Sequence, residues 1–165
     1  MNDSNANRAG FTLIEVIIVV AILAILAALV VPNLLQAQTR SKVSRAKADL
    51  ATLRTGLEAY AVDHGTYPLN RGGLGFSGAL IRLTKPTRYL EVLPKDPFAQ
   101  DAGYFYTAVG RIREAEASDI GEFLAASIGP DGDLDSALAT TTHYDPTNGT
   151  ISDGDIVVTH AGGMK

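Results

Sequence analysis

Residues 11 to 31 form an apolar run of 21 positions, and from 16 to 31 every residue is Ala, Val, Ile or Leu. At ~1.5 Å per residue a helix of that length covers the ~30 Å hydrocarbon core of a bilayer. No other feature constrains the fold as strongly, because such a segment must be dissolved in lipid or surrounded by other apolar helices. A removed secretory signal accounts for it less well, since its apolar region usually runs to about 7 to 15 residues and closes on a small-residue cleavage site. Here the run passes straight into helix-forming sequence.

The formal net charge of −4 conceals a division. Residues 1 to 113 carry 13 basic and 8 acidic side chains, whereas 114 to 164 carry 10 acidic and none basic. Phosphate binding depends on Lys and Arg, so the acidic C-terminal third argues against a nucleic-acid partner. Arg40, Lys42, Arg45 and Lys47, with no aromatic residue among them, read as a solvated helix face. Cysteine is absent, which removes disulfides, thiolate metal sites and a cysteine nucleophile together. His64, His143 and His160 show no metal-ligand spacing and no catalytic constellation is visible, so the chain reads as a non-enzyme.

Inside the apolar segment stands a carboxylate, Glu15. An ionised acid costs roughly 2.5 to 3.5 kcal/mol at the centre of a membrane helix and less near its ends. Two explanations are open. Thr12 and Glu15 have the S/T-x-x-E spacing of a capping box, which sets the carboxylate at the positive end of the helix dipole. Alternatively, Glu15 meets a positive charge on a neighbouring molecule.

Gly10-Phe11-Thr12-Leu13-Ile14-Glu15, followed by the apolar run and Pro32, resembles the class III signal shared by type IV pilins and type II secretion pseudopilins. The resemblance implies cleavage between Gly10 and Phe11 by a prepilin peptidase, N-methylation of the new terminus at Phe11, an assembly role for Glu15 and a helix kink at Pro32. It also supplies a charge for Glu15, the amine freed at Phe11 of an adjacent subunit. Residues 1 to 10 are then a leader peptide. Further on, His64-Gly65-Thr66-Tyr67-Pro68, Leu93-Pro94-Lys95-Asp96-Pro97-Phe98 and Ser127-Ile128-Gly129-Pro130-Asp131-Gly132 are similar in order and spacing to the major pseudopilin of type II secretion. Residues 134 to 165 depart from that pattern, being longer and differently spaced.

Pro32 does not end the helical periodicity. Val43, Ala46, Leu50, Leu53, Leu57 and Tyr60 recur at steps of three and four and predict one apolar stripe. Ser41, Ser44, Ala48, Thr52, Thr55 and Ala59 predict a face of small residues opposite, which admits a second helix at short range. With Gly65 as the stop, 11 to 35 is the membrane-spanning half of the helix and 36 to 65 an amphipathic stem. Residues 66 to 165 read as a head containing a loop at 72 to 75, a short helix at 77 to 85, a proline-restricted loop at 93 to 98 and three strands at 103 to 109, 122 to 128 and 155 to 159. The expected fold class is α+β and pilin-like, one long N-terminal helix packed on a small antiparallel sheet. The positive-inside bias assigns the Arg40 to Lys47 cluster to the cytoplasm, whereas the resemblance places it outside with the head.

The acidic tail carries the one candidate metal site. Asp131, Asp133 and Asp135 alternate around Gly132, and Asp153 and Asp155 follow in Asp-, Gly- and Asn-rich sequence. Calcium takes six to eight oxygens from such loops, and it would offset like charges that otherwise repel. An EF-hand is excluded, because its glycine position falls at Ser136 and its bidentate acid at Thr142. Plain solvated turn sequence is the simpler account of the same residues. In the resembled family a calcium ion orders this region, with Asp131 at the matching first position.

These observations lead to a structural subunit anchored in the bacterial inner membrane, its head in the periplasm. After processing it is expected to polymerise with itself into a periplasmic pseudopilus that drives type II secretion. The resemblance implies the prepilin peptidase, minor pseudopilins, an inner-membrane assembly platform and membrane lipid as partners, and structural calcium as a cofactor. A type IV pilin of a surface filament is the alternative within the same fold. An unprocessed, signal-anchored metal-binding domain is the alternative outside it.

Overall fold

A computed structural model describes residues 10–69, 75–76, 78–100, 102–108, 122–134, 144–147, 152 and 154–161. Its first element is a single helix, α1, Leu13–His64. Thr12 and Glu15 start it, and Gly65 ends it in the left-handed region (φ 69°), where its amide still donates to the Ala61 carbonyl at 2.8 Å. Pro32 lies within α1 and donates no backbone hydrogen bond, which exposes carbonyls of the preceding turn. Beside it the Asn33 side-chain Nδ2 donates to the Leu29 carbonyl at 3.2 Å.

The chain divides into two compact units, Met1–Ala37 and Gln38–Lys165. In the first, every described residue is exposed, including Phe11 at 85% and Ile14 at 65%. In the second, the predicted apolar stripe is the centre of the core. Ala46, Leu50, Leu53 and Leu57 are fully buried, and Val43 nearly so. Each leucine contributes about 1.5–3 kcal/mol by leaving water.

That stripe packs with one face of a four-stranded antiparallel sheet of order β1-β2-β3-β4. The strands are β1 Gly75–Phe76, β2 Phe105–Ala108, β3 Phe123–Ser127 and β4 Ile156–Thr159. The registers Tyr106↔Ala125 and Ala125↔Val158 bring three core side chains to the helix-facing side. One residue along, Phe105↔Ala126 and Ala126↔Val157 build a second small cluster with Leu124 and Leu134. Because both faces are covered, β2 and β3 are buried at every position and lack the alternation of a half-exposed strand.

Two expectations are corrected. Gly75, assigned to a loop, pairs with Tyr106 in an edge strand too short to carry a hydrophobic pattern. The helix expected at 77 to 85 is a 3-10 helix, Gly78–Leu83, whose buried Ala79, Leu80 and Leu83 lie at the steps of three or four that also suit an α-helix. The three strands expected from sequence form within their predicted limits, and residues 101, 109 to 121 and 135 to 143 lie outside the described set.

Candidate functional site

The functional signal begins at the start of α1. The Thr12 amide and hydroxyl donate to Glu15 Oε2 at 2.9 and 2.8 Å, and the Glu15 amide donates back to Thr12 Oγ1 at 3.4 Å. Within one molecule Glu15 is therefore a capping-box carboxylate, the local explanation of its place in the apolar run. The group is also exposed, as are Gly10 and Phe11 beside it. Of the predicted leader only Gly10 lies among the described residues.

Along the stem, Ser41, Ser44, Ala48, Thr52, Thr55 and Ala59 are all exposed. Thr52 and Thr55 turn their hydroxyls back onto the carbonyls of Ala48 and Ala51 at 2.9 and 3.1 Å. This satisfies their donors inside the helix and leaves a low surface outward. The basic cluster is largely engaged with the head: Lys42 Nζ lies 5.8 Å from the Phe98 ring centre and Lys47 Nζ 5.5 Å from that of Tyr144. Arg45 stands 3.7 Å from Asp49, whose carboxylate also accepts from the Tyr104 hydroxyl at 2.9 Å. Lys42 and Lys47 thus pack on rings of the head, so this stretch of the stem lies on the same side of the membrane as the head.

The acidic region meets in part. Asp131 Oδ2 accepts from the Gly154 amide at 2.7 Å, joining the turn after β3 to the approach to β4. Gly129 has φ 73°, and a Cβ there would stand 2.5 Å from the Gly154 carbonyl oxygen, so only glycine allows the two segments to lie this close. Asp155 is 2% exposed, with both carboxylate oxygens closed to solvent, while Asp133 is exposed. Asp135 and Asp153 lie outside the described residues, and among those described no three acidic or histidine side chains converge.

Sequence reasoning missed Asp96. This carboxylate is 2% exposed and accepts from the Phe98 amide and Ser127 hydroxyl, each at 2.9 Å, and from the Ile128 amide at 3.1 Å. It fixes the backbone that leads into Gly129 and Asp131. The Asp96–Phe98 bond is an Asx turn, the only part of this arrangement with a local signal.

Residues 5–31 match the family described as the prokaryotic N-terminal methylation motif, and residues 33–137 match type II secretion system (T2SS), protein G. A relative from Vibrio cholerae serotype O1, named type II secretion system core protein G, is 40% identical over 107 residues, covering 59% of this chain and 70% of its own. Proteins of the same name from Pseudomonas aeruginosa and Escherichia coli K12 are 38% and 31% identical over 136 and 135 residues, covering 76% and 77% of this chain and 85% of each relative.

Proposed function

The chain belongs to the type II secretion system protein G family and is a pseudopilin subunit, a structural protein; from this we propose that its processed form polymerises through α1 into a periplasmic pseudopilus. The carrying observation is the exposure of every described residue from 10 to 38, most of them large and apolar. Such a surface is stable only in lipid or against like helices. A prepilin peptidase cleaves after Gly10, Phe11 is methylated, and the subunit waits in the inner membrane with its head in the periplasm. On assembly it leaves lipid for a bundle of sister helices, in contact with minor pseudopilins and the membrane platform.

Glu15 gives this exchange a direction. In lipid its carboxylate has Thr12; in the filament it gains the amine of a neighbour's Phe11, so the paired state lies lower than two separated charges in a medium of low polarity. Mass analysis of the purified N-terminus should find methylated Phe11, and an intact Met1 would overturn the proposal. Glu15→Ala should insert and be processed normally while filaments, counted by negative-stain electron microscopy, fall sharply. Filaments in normal number would reject this role for Glu15.

Calcium belongs to the same proposal. The donors are hard oxygens of the kind calcium takes, offered by turns that the Asp131–Gly154 hydrogen bond draws together. Asp131, whose carboxylate holds the Gly154 amide, and Asp155, the next residue in the chain, are the first ligands, with Asp153 as a third and Asp133 and Asp135 as further donors. Bound there, the ion would brace the acidic turns against their mutual repulsion.

A further inference from the structure

Where α1 ends, a cleft of about 240 Å³ opens between Tyr60 and His64 on the helix and Arg82, Lys85, Thr87 and Tyr89. Its walls are aromatic. Tyr60 and His64 stack with ring centres 4.0 Å apart and planes 5° apart, and Tyr89 stands edge-on to both at 5.6 and 6.2 Å. The Tyr89 hydroxyl donates to Asp63 Oδ2 at 2.7 Å, which fixes the ring against the end of α1. Arg82 and Lys85 also line it, and Lys85 is exposed. Two cations over aromatic walls suit a carboxylate carried on a short protein turn, in a volume too small for a large ligand.

The same unit carries such turns at its other end. Asp133 and Asp145 are exposed. Tyr144, the neighbour of Asp145, receives Lys47, and its amide donates to the Asp155 carbonyl at 3.0 Å, so the Asp145 turn stands beside residue 47 of α1. The cleft stands beside residues 60 to 64. Along a helix these positions are separated by roughly 20 Å. One unit thus carries an exposed acidic turn, beside the Lys42 to Lys47 stretch of the stem, and a separate aromatic cleft lined by Arg82 and Lys85, spaced along its own helix. Complementary patches at different places on one chain make a heterologous contact, which propagates as an open helix when the rotation does not close.

We infer that the cleft formed by Tyr60, His64, Arg82, Lys85 and Tyr89 receives the acidic turn at Asp145 of a second copy of this chain, a head-to-head contact that sets subunit register in the filament. This rests on the filament proposal above. Charge complementarity selects the occupant: the region from 114 to 164 has ten acids and no Lys or Arg, whereas the cleft presents Arg82 and Lys85.

Because the chain has no cysteine, a double variant carrying Lys85→Cys and Asp145→Cys reports the contact directly in membranes containing the full-length protein. Mild oxidation should give a ladder of dimers and higher multimers, with each single variant giving none beyond a dimer. Separately, Lys85→Glu or Asp145→Lys alone should lower filament yield by at least about tenfold through like-charge contact, and the two combined should restore it. Filaments without a ladder and without rescue would overturn the contact and leave the filament proposal standing. A ladder without filaments would keep the contact and overturn the filament, and the absence of both would end both.

Discussion

Asp96 and Ser127 are 31 residues apart in the chain and joined by a 2.9 Å hydrogen bond inside the head, and the second oxygen of the same carboxylate holds the Ile128 amide. A loop of fixed prolines is thereby tied to the end of the central strand β3. Asp96→Asn keeps the shape but presents a donor where one of three donors now points. Loss of a buried, charge-assisted bond costs about 1.5–3 kcal/mol. Urea unfolding of the detergent-solubilised chain should show a midpoint shift of that size with unchanged slope, and Asp96→Ala should cost more.

At Gly56, α1 lies directly against Leu90 in the segment after the 3-10 helix. A Cβ at that position would lie 2.8 Å from Leu90 Cγ and 3.0 and 3.1 Å from its two methyls. Gly56→Ala gains up to about 1 kcal/mol of helix propensity but overpacks a buried leucine, at about 1–3 kcal/mol. The net effect should be loss of stability. Combining it with Leu90→Ala should cost less than the sum of the two single changes, and a purely additive pair would show that Leu90 is not the obstacle.

Alkaline pH should unfold the head through two tyrosines. Burial, and for Tyr104 also its bond to the Asp49 carboxylate, pushes both Tyr104 and Tyr106 well above the ordinary phenol range. In the unfolded chain both ionise near pH 10. Above that pH the unfolded state binds fewer protons than the native one, so stability is full below about pH 10 and falls as pH rises. Melting temperatures from pH 8 to 11.5 should decline more gently for Tyr104→Phe than for the unaltered chain, whatever its starting value.

Calcium should raise the melting temperature of the full-length protein by about 5 °C or more at saturation, because an ion that binds only the native state stabilises it in proportion to occupancy. Chelator should reverse the gain, and Asp155→Asn should abolish it. Equal melting with calcium and with chelator would remove the ion from the account.

What the sequence revealed followed from the range of each interaction. The apolar anchor, the Thr12–Glu15 cap, the stripe from Val43 to Leu57 and the Gly65 stop are all encoded within a few helical turns, and each forms as its spacing predicts. The strand β1 is two residues long and begins with glycine, so no periodicity announces it. Asp96 reads as one more turn residue because two of its partners are 31 and 32 residues away. The same is true of Lys42 and Lys47: as sequence they are solvated charges, and only the return of Phe98 and Tyr144 to the stem shows what they cover. The cleft needs two separate segments, 60 to 64 and 82 to 89, to exist at all, and Arg82 and Lys85 have no local mark of belonging to it.

One continuous helix carries two unrelated sets of demands, divided near Ala37. Its buried positions begin only at Val43, while its N-terminal run of large exposed apolar residues ends at Leu35. Mutational drift in the two stretches is therefore filtered by different processes, insertion and assembly for one, folding of the head for the other. Exchange of the first 37 residues for those of another family member should be silent in the folding of the head, so that anchors and heads are free to recombine at a joint inside a single element of secondary structure.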